Sequence, residues 1–132
     1  MVEDSPGTAA SIRRVLSNYD GDVDLVVRTT GADALHYLQT CRDENLPDVI
    51  IMDLNLPDMA GLDLLKHIKA EFRMEGVPVN ILTGSDAERD IEKSYRAGAN
   101  SFIKKPVSYG ELEAILHAVL DYWFKVALLP PR

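Results

Sequence analysis

The sequence predicts an α/β fold with a parallel sheet. Short β-branched runs, Leu25-Val26-Val27, Val49 to Leu54, Val79 to Thr83 and Ser101 to Lys104, alternate with segments of helical periodicity. Such alternation implies βαβ units, which need a parallel sheet. The polar residues that stand out, Glu3-Asp4, Asp53, Thr83 and Lys105, all fall at the ends of apolar runs. In open parallel sheets that edge is where ligands bind.

The elements follow in order. Ile12, Val15, Leu16 and Tyr19 lie at helical spacing and predict a helix from about Gly7 to Asn18. After the strand Leu25–Val27, Thr30-Gly31-Ala32-Asp33 has the form of a capping box, opening a helix through Leu35 and Leu38. Val49 to Leu54 is the central strand. Leu62, Leu65, Ile68 and Phe72 mark a further helix, closed by Gly76 and Pro78. Val79 to Thr83 is a strand. Ser85-Asp86-Ala87-Glu88 reads as a second capping box before a polar helix through Ile91 and Tyr95 to Gly98. Ser101 to Lys104 is a short strand, and Ser108-Tyr109-Gly110-Glu111 caps a last helix carrying Leu112, Ile115, Leu116, Val119 and Trp123 on one face. No internal repeat or low-complexity linker interrupts the pattern.

At 132 residues the chain is one domain's worth and can bury a substantial core. A net charge of −7 argues against a nucleic-acid surface and suits a basic partner or a divalent cation. The single cysteine, Cys41, excludes an intrachain disulfide and fits a reducing cytoplasm. No apolar stretch approaches membrane-spanning length.

Asp53 is the only charge in Val49-Ile50-Ile51-Met52-Asp53-Leu54-Asn55-Leu56. A carboxylate at the end of a buried strand is costly unless a cation or hydrogen-bond donors meet it. Glu3-Asp4 facing Asp53 would repel it, and a hard divalent cation such as Mg²⁺ resolves the conflict. Taken alone, Glu3-Asp4 also fits a solvated loop, Thr83 an ordinary strand residue, and Lys105 a surface charge. With Mg²⁺ bound, Asp53 could attack a phosphoryl group, with Lys105 and Thr83 supplying charge and a hydroxyl to its oxygens. Lys104 and Lys105 point to opposite faces if the strand continues, so one of them reaches the site. Pro106 leaves room for a cis bond. His36, His67 and His117 show no metal spacing.

The segments Val2-Glu3-Asp4-Ser5-Pro6, Ile51 to Gly61, Ile81-Leu82-Thr83-Gly84-Ser85 and Lys105-Pro106 together resemble a bacterial two-component response-regulator receiver domain. The resemblance covers essentially the whole chain, 1–132, as a single receiver domain. It implies a flavodoxin-like, doubly wound five-stranded sheet of order 2-1-3-4-5 with helices on both faces. It also implies that Asp53 accepts phosphate from a histidine kinase or phosphotransfer protein. Asp4 and Asp53 would bind Mg²⁺ with the Asn55 backbone carbonyl, Glu3 acting mainly through water. Lys105 would pair with the phosphoryl group, and Thr83 would bond it and couple to a switch aromatic at Phe102. Asn55 and Ser85 would tune the acyl-phosphate lifetime. The protein would catalyse only its own phosphorylation and dephosphorylation, in the cytoplasm.

The tail Tyr122-Trp123-Phe124, then Val126-Ala127-Leu128-Leu129-Pro130, resembles single-domain regulators paired with bacterial phytochrome kinases. That likeness implies a homodimer through the last helix, with no output domain. Receivers carry several apolar residues before the acidic pair, whereas here only Met1-Val2 precede Glu3. Upstream residues, or another segment, are expected to complete that central strand.

A receiver-like interaction module working without phosphorylation is the alternative, but its signature would be a degraded acceptor set, and Glu3, Asp4, Asp53, Thr83 and Lys105 are all present. An aspartyl phosphatase would want a second acid two residues beyond Asp53, where Asn55 stands. A flavin-binding protein would want a phosphate-cradling loop after the first strand.

Overall fold

The computed structural model describes residues 1–131. Its elements run α1 (Pro6–Ser17), α2 (Gly31–Thr40), β1 (Ile50–Met52), α3 (Gly61–Ala70), β2 (Val79–Thr83), α4 (Glu88–Arg96), β3 (Ser101–Lys104) and α5 (Tyr109–Asp121), followed by a π-turn over Tyr122–Val126. The three strands are parallel, with β2 between β1 and β3. Ile50 to Met52 pair with Val79 to Ile81, and Asn80 to Thr83 pair with Ser101 to Lys104.

Alternation along the strands builds a core on each face. Ile50, Met52, Val79 and Ile81 pack with Ala34 and Leu38 of α2 and with Leu64, Leu65 and Ile68 of α3. Leu82, with Ile51 and Ile103, meets Ile12 and Val15 of α1 and Leu112 and Leu116 of α5. Helices therefore cover both faces of the parallel sheet, as expected.

Among the described residues three strands form a ladder where five were expected. The segment Leu25–Val27 is not a strand, and the N-terminal strand is a single residue: Val2 forms isolated parallel bridges to Arg28 on one side and Met52 on the other. The order 2-1-3-4-5 is thus not established as a continuous sheet. The physical reason lies in the ladder itself. Val2 donates to the Ile51 carbonyl and Asp53 to the Val2 carbonyl, while on the other side Glu3 donates to the Arg28 carbonyl and Arg28 to the Met1 carbonyl. Both pairings are single bridges at Val2 that do not extend into a ladder, and within Leu25–Val27 the Val26 carbonyl accepts from the Met1 ammonium. Behind Met1, a cavity of about 430 Å³ opens between Leu25, Val26, Val49 and Ile51, floored by Leu116 and Leu120. It lies at the opposite end of the strands from Asp53.

Several boundaries differ from expectation. β1 is shorter than Val49–Leu54. α3 ends at Ala70, which leaves Phe72 in the following turn and 85% exposed. The second capping box does not form: Ala87 is the N-cap of α4 without a side-chain bond, because the Ser85 hydroxyl donates to Asp90 Oδ2 at 2.6 Å. Thr30 and Ser108 do cap α2 and α5, accepting the Asp33 and Glu111 amides. Trp123 lies beyond α5 in the π-turn, its Nε1 donating to the buried Asn80 side chain at 3.3 Å. No peptide bond is cis among the described residues, Pro106 included. Nor is any helix among them long and apolar enough to cross a membrane.

Candidate functional site

Each site residue stands where a strand gives out. Glu3 and Asp4 follow Val2, Asp53 follows β1, Thr83 closes β2, and Lys105 follows β3. Parallel pairing aligns these ends, and the Lys105 amide donates to the Thr83 carbonyl at 2.7 Å, carrying the β2–β3 pairing one residue beyond Lys104.

Glu3 and Asp53 are buried, at 3% and 7% exposure, while Asp4 is open to solvent. Their carboxylates and that of Asp4 each offer an oxygen within 4.8 Å of the others. Lys105 Nζ bridges the two buried ones, 2.5 Å from Glu3 Oε1 and 2.8 Å from Asp53 Oδ2. Asp53 Oδ1 accepts the Asn55 amide at 3.1 Å. Lys104 instead pairs with Asp86 at 2.8 Å on the surface.

The charges in this cluster shift one another. Burial pushes the Asp53 carboxyl up, but the Lys105 ammonium and the Asn55 N–H outweigh it and hold Asp53 below the usual carboxylate value. For Glu3, burial dominates and the carboxyl is raised, despite its bond to Lys105. Burial alone would lower Lys105, yet its two carboxylate partners raise it. Asp53 is therefore ionised at neutral pH.

Thr83 is fully buried, and its hydroxyl has no hydrogen-bond partner. It nonetheless sits near enough to Asp53 to help lower that carboxyl. An unpartnered buried hydroxyl is uncommon, and this one faces the site. The loop from Asp53 to Gly61 closes on itself: Asn55 bridges Ala60, and the Gly61 amide donates to the Leu54 carbonyl at 2.7 Å. A Cβ at Gly61 would lie 2.5 Å from Leu54 Cα, so only glycine permits this closure.

Glu3, Asp4, Asp53, Thr83, Asn55 and Lys105 thus come together. Ser85 does not bond to any of them, being engaged by Asp90 and the Ala87 amide. Phe102 lies on β3, partly buried against the core, and its amide donates to the Tyr95 hydroxyl of α4 at 3.1 Å. Two residues escaped the sequence reading. Tyr95 was read only as a helix position. Asp58 carried no local spacing signal, because its partners are the amides of Gly31 and Ala32.

Three hard oxygen donors in one cluster fit a divalent cation, with no nitrogen or sulfur ligand among them. The Lys105 ammonium and the Thr83 hydroxyl both approach the Asp53 carboxylate.

Comparison with known proteins agrees with this geometry. The model of the response regulator receiver domain matches residues 1–117. Response regulator Rcp1 of Synechocystis sp. is 30% identical, covering 98% of this chain and 90% of its own length. The crystal structure of the Mn²⁺-bound form of Rcp1 superposes with a TM-score of 0.88 at 30% identity, over 98% of this chain and 96% of that one. The phosphorylated cyanobacterial phytochrome response regulator RcpA gives a TM-score of 0.91 at 32% identity, over 98% and 95%. With its strand-end carboxylates, threonine and lysine in this arrangement, the chain belongs to the response regulator receiver family.

Proposed function

We propose that this receiver is a phosphoacceptor: it takes a phosphoryl group on Asp53 from a histidine kinase or phosphotransfer protein and signals through an altered surface. The observation that carries this reading is the buried, ionised Asp53 held by Lys105 beside a Thr83 hydroxyl with no partner of its own. An Asp53 oxygen attacks the phosphorus, forming an acyl phosphate as the donor's bond to phosphorus breaks. Lys105 then shifts its bond to a phosphoryl oxygen, and Thr83 donates its hydroxyl to another. Mg²⁺, held by Asp4, Asp53 and the Asn55 carbonyl with Glu3 behind water, would neutralise charge on the transferring oxygens. The same site hydrolyses the acyl phosphate, and the chain turns over no other substrate. The family resemblance supports Asn55 and Ser85 as the residues that tune the lifetime of the acyl phosphate.

The switch runs from Thr83 to Phe102 and the α4 surface, where Tyr95 already bonds the Phe102 amide. Ordering a loop around added charge biases such a surface. The likeness to Rcp1 and RcpA supports a phytochrome-type kinase as the donor. Exposed Tyr122, Phe124, Val126 and Leu128 support a homodimer through the C-terminal segment. The acidic balance supports cytoplasmic protein partners rather than nucleic acid.

Native mass spectrometry after incubation with Mg²⁺ and a small phosphodonor tests both parts. One acid-labile, Mg²⁺-dependent phosphate on a dimer is expected, and none on Asp53→Asn. An adduct retained by D53N overturns the acceptor assignment. A folded chain that takes no phosphate from several donors favours the phosphorylation-independent module.

A further inference from the structure

We propose that Asp58 is a positioning residue for the cation site, holding the loop that carries Asn55 by gripping the N-terminus of α2. The inference rests on the reading of Glu3, Asp4, Asp53 and the Asn55 carbonyl as the cation's surroundings.

The Asp58 carboxylate spans two consecutive amides of α2: Oδ1 accepts from Gly31 at 2.8 Å and Oδ2 from Ala32 at 2.9 Å. These are the first free N–H groups of the helix, where the macrodipole also favours a negative charge. Those two donors hold the Asp58 carboxyl below its usual value. A cap for α2 already exists locally, because Thr30 Oγ1 accepts the Asp33 amide at 3.0 Å. Helix capping alone would not require a carboxylate from 26 and 27 residues away in sequence. What the long-range bonds add is a fixed position for the loop tip.

The neighbouring contacts say the same. Met59 packs so closely on Gly31 that a Cβ there would collide with its Cγ and Sδ. The base of the loop is closed by the Gly61–Leu54 bond and the Asn55–Ala60 bridge. Asn55 therefore lies between a clamped base and a clamped tip. It is exposed and has no core packing of its own to set its backbone. Mg²⁺ demands near-ideal octahedral geometry at short distances, so a small displacement of a carbonyl ligand is felt in affinity. Supporting groups one step removed from a metal commonly contribute tenfold or more.

The test is calorimetric titration of Mg²⁺, with Mn²⁺ as a second probe, into the full chain and three variants. Asp58→Ala should weaken binding about tenfold. Asp58→Asn, which keeps one acceptor oxygen, should fall between Asp58→Ala and wild type. Thr30→Ala removes a cap bond from the same helix without touching the loop and should stay within about twofold of wild type. Equal losses in D58A and T30A would show that Asp58 serves only helix stability, which overturns the proposal. Unchanged affinity in D58A and D58N overturns it as well. A wild-type chain that binds neither cation overturns the cation reading itself and the proposal with it, an outcome visible before any variant is made.

Discussion

Replacing Thr83 by valine separates the resting site from its phosphorylated form. Valine copies the shape of threonine and removes only the hydroxyl. In the resting protein that hydroxyl is fully buried and makes no hydrogen bond. A buried polar group without a partner costs about 1–3 kcal/mol. Its weak interaction with Asp53 offsets part of that cost, which leaves a gain of roughly 1 kcal/mol for Thr83→Val. For a domain of this size the gain corresponds to an increase in Tm of about 4 °C. The phosphorylated protein should respond in the opposite sense. A hydrogen bond to a charged oxygen contributes about 1.5–3 kcal/mol, so its loss should slow phosphoryl uptake about tenfold or more. Urea unfolding and thermal melts read the first effect, and uptake from a small phosphodonor reads the second. A Thr83→Val protein less stable than wild type by 1 kcal/mol would mean that the hydroxyl is already bonded at rest. Uptake at the wild-type rate would mean that it takes no part in the transfer.

Two further outcomes follow from the charges. Lys105→Met keeps the apolar stem but strands two buried carboxylates, Glu3 and Asp53. With the ammonium about a quarter exposed, the loss should be about 2 kcal/mol at pH 7, below the full figure for a buried pair. Because Asp53 is held below its ordinary value, its share of that stability exists above the usual carboxylate range and disappears as pH falls through the folded value, so the two proteins converge in acid. Mg²⁺ should restore more stability to Lys105→Met than to wild type, and a loss under 0.5 kcal/mol or no extra rescue (on the order of experimental error) contradicts the ion-pair account. At the other end of the sheet, the N-terminal ammonium donates to the Val26 carbonyl, and burial, with help from Arg28, lowers its pKa from 8.0 to about 6. The unfolded chain keeps this proton up to pH 8 while the folded one loses it near 6, so stability rises with pH through that window. The gain is roughly 1–2 kcal/mol once partial solvent access is allowed for. Four apolar β-branched residues added before Met1 would move that charge away from Val26 and, continuing the strand direction, would enter the cavity lined by Val26 and Ile51. That extension should flatten the pH slope and raise stability at pH 6 by at least the same amount. An unchanged slope would place the amine in solvent.

Much of the site was legible because strand ends are legible. Asp53, Thr83 and Lys105 each terminate an apolar run, and parallel pairing brings the ends of such runs to one edge of the sheet. The helices at α1, α2 and α5 announced themselves through periodicity and, for the last two, through Thr30 and Ser108. Other features depended on partners that no local pattern names. Leu25–Val27 has a strand's composition, but a strand also needs a partner ladder along its length, and the bridge to Val2 falls just beyond it, at Arg28. Ser85 had the spacing of a cap, but its hydroxyl had a better partner in Asp90. Phe72 continued the helical period on paper, yet α3 had already buried Leu64, Leu65 and Ile68 and turned away. Asp58 stood only within the Ile51–Gly61 segment of the resemblance, and its contacts became visible only when the fold brought Gly31 and Ala32 to it.

The central claim is that Asp53 is the acceptor, and reductive trapping tests it most directly. Borohydride converts an aspartyl phosphate to homoserine, and peptide mass spectrometry then reads the position. Homoserine at residue 53 alone, dependent on Mg²⁺ and on the phosphodonor, is the predicted result. Homoserine at another acidic residue, or a phosphorylated chain with Asp53 unchanged, would contradict the account.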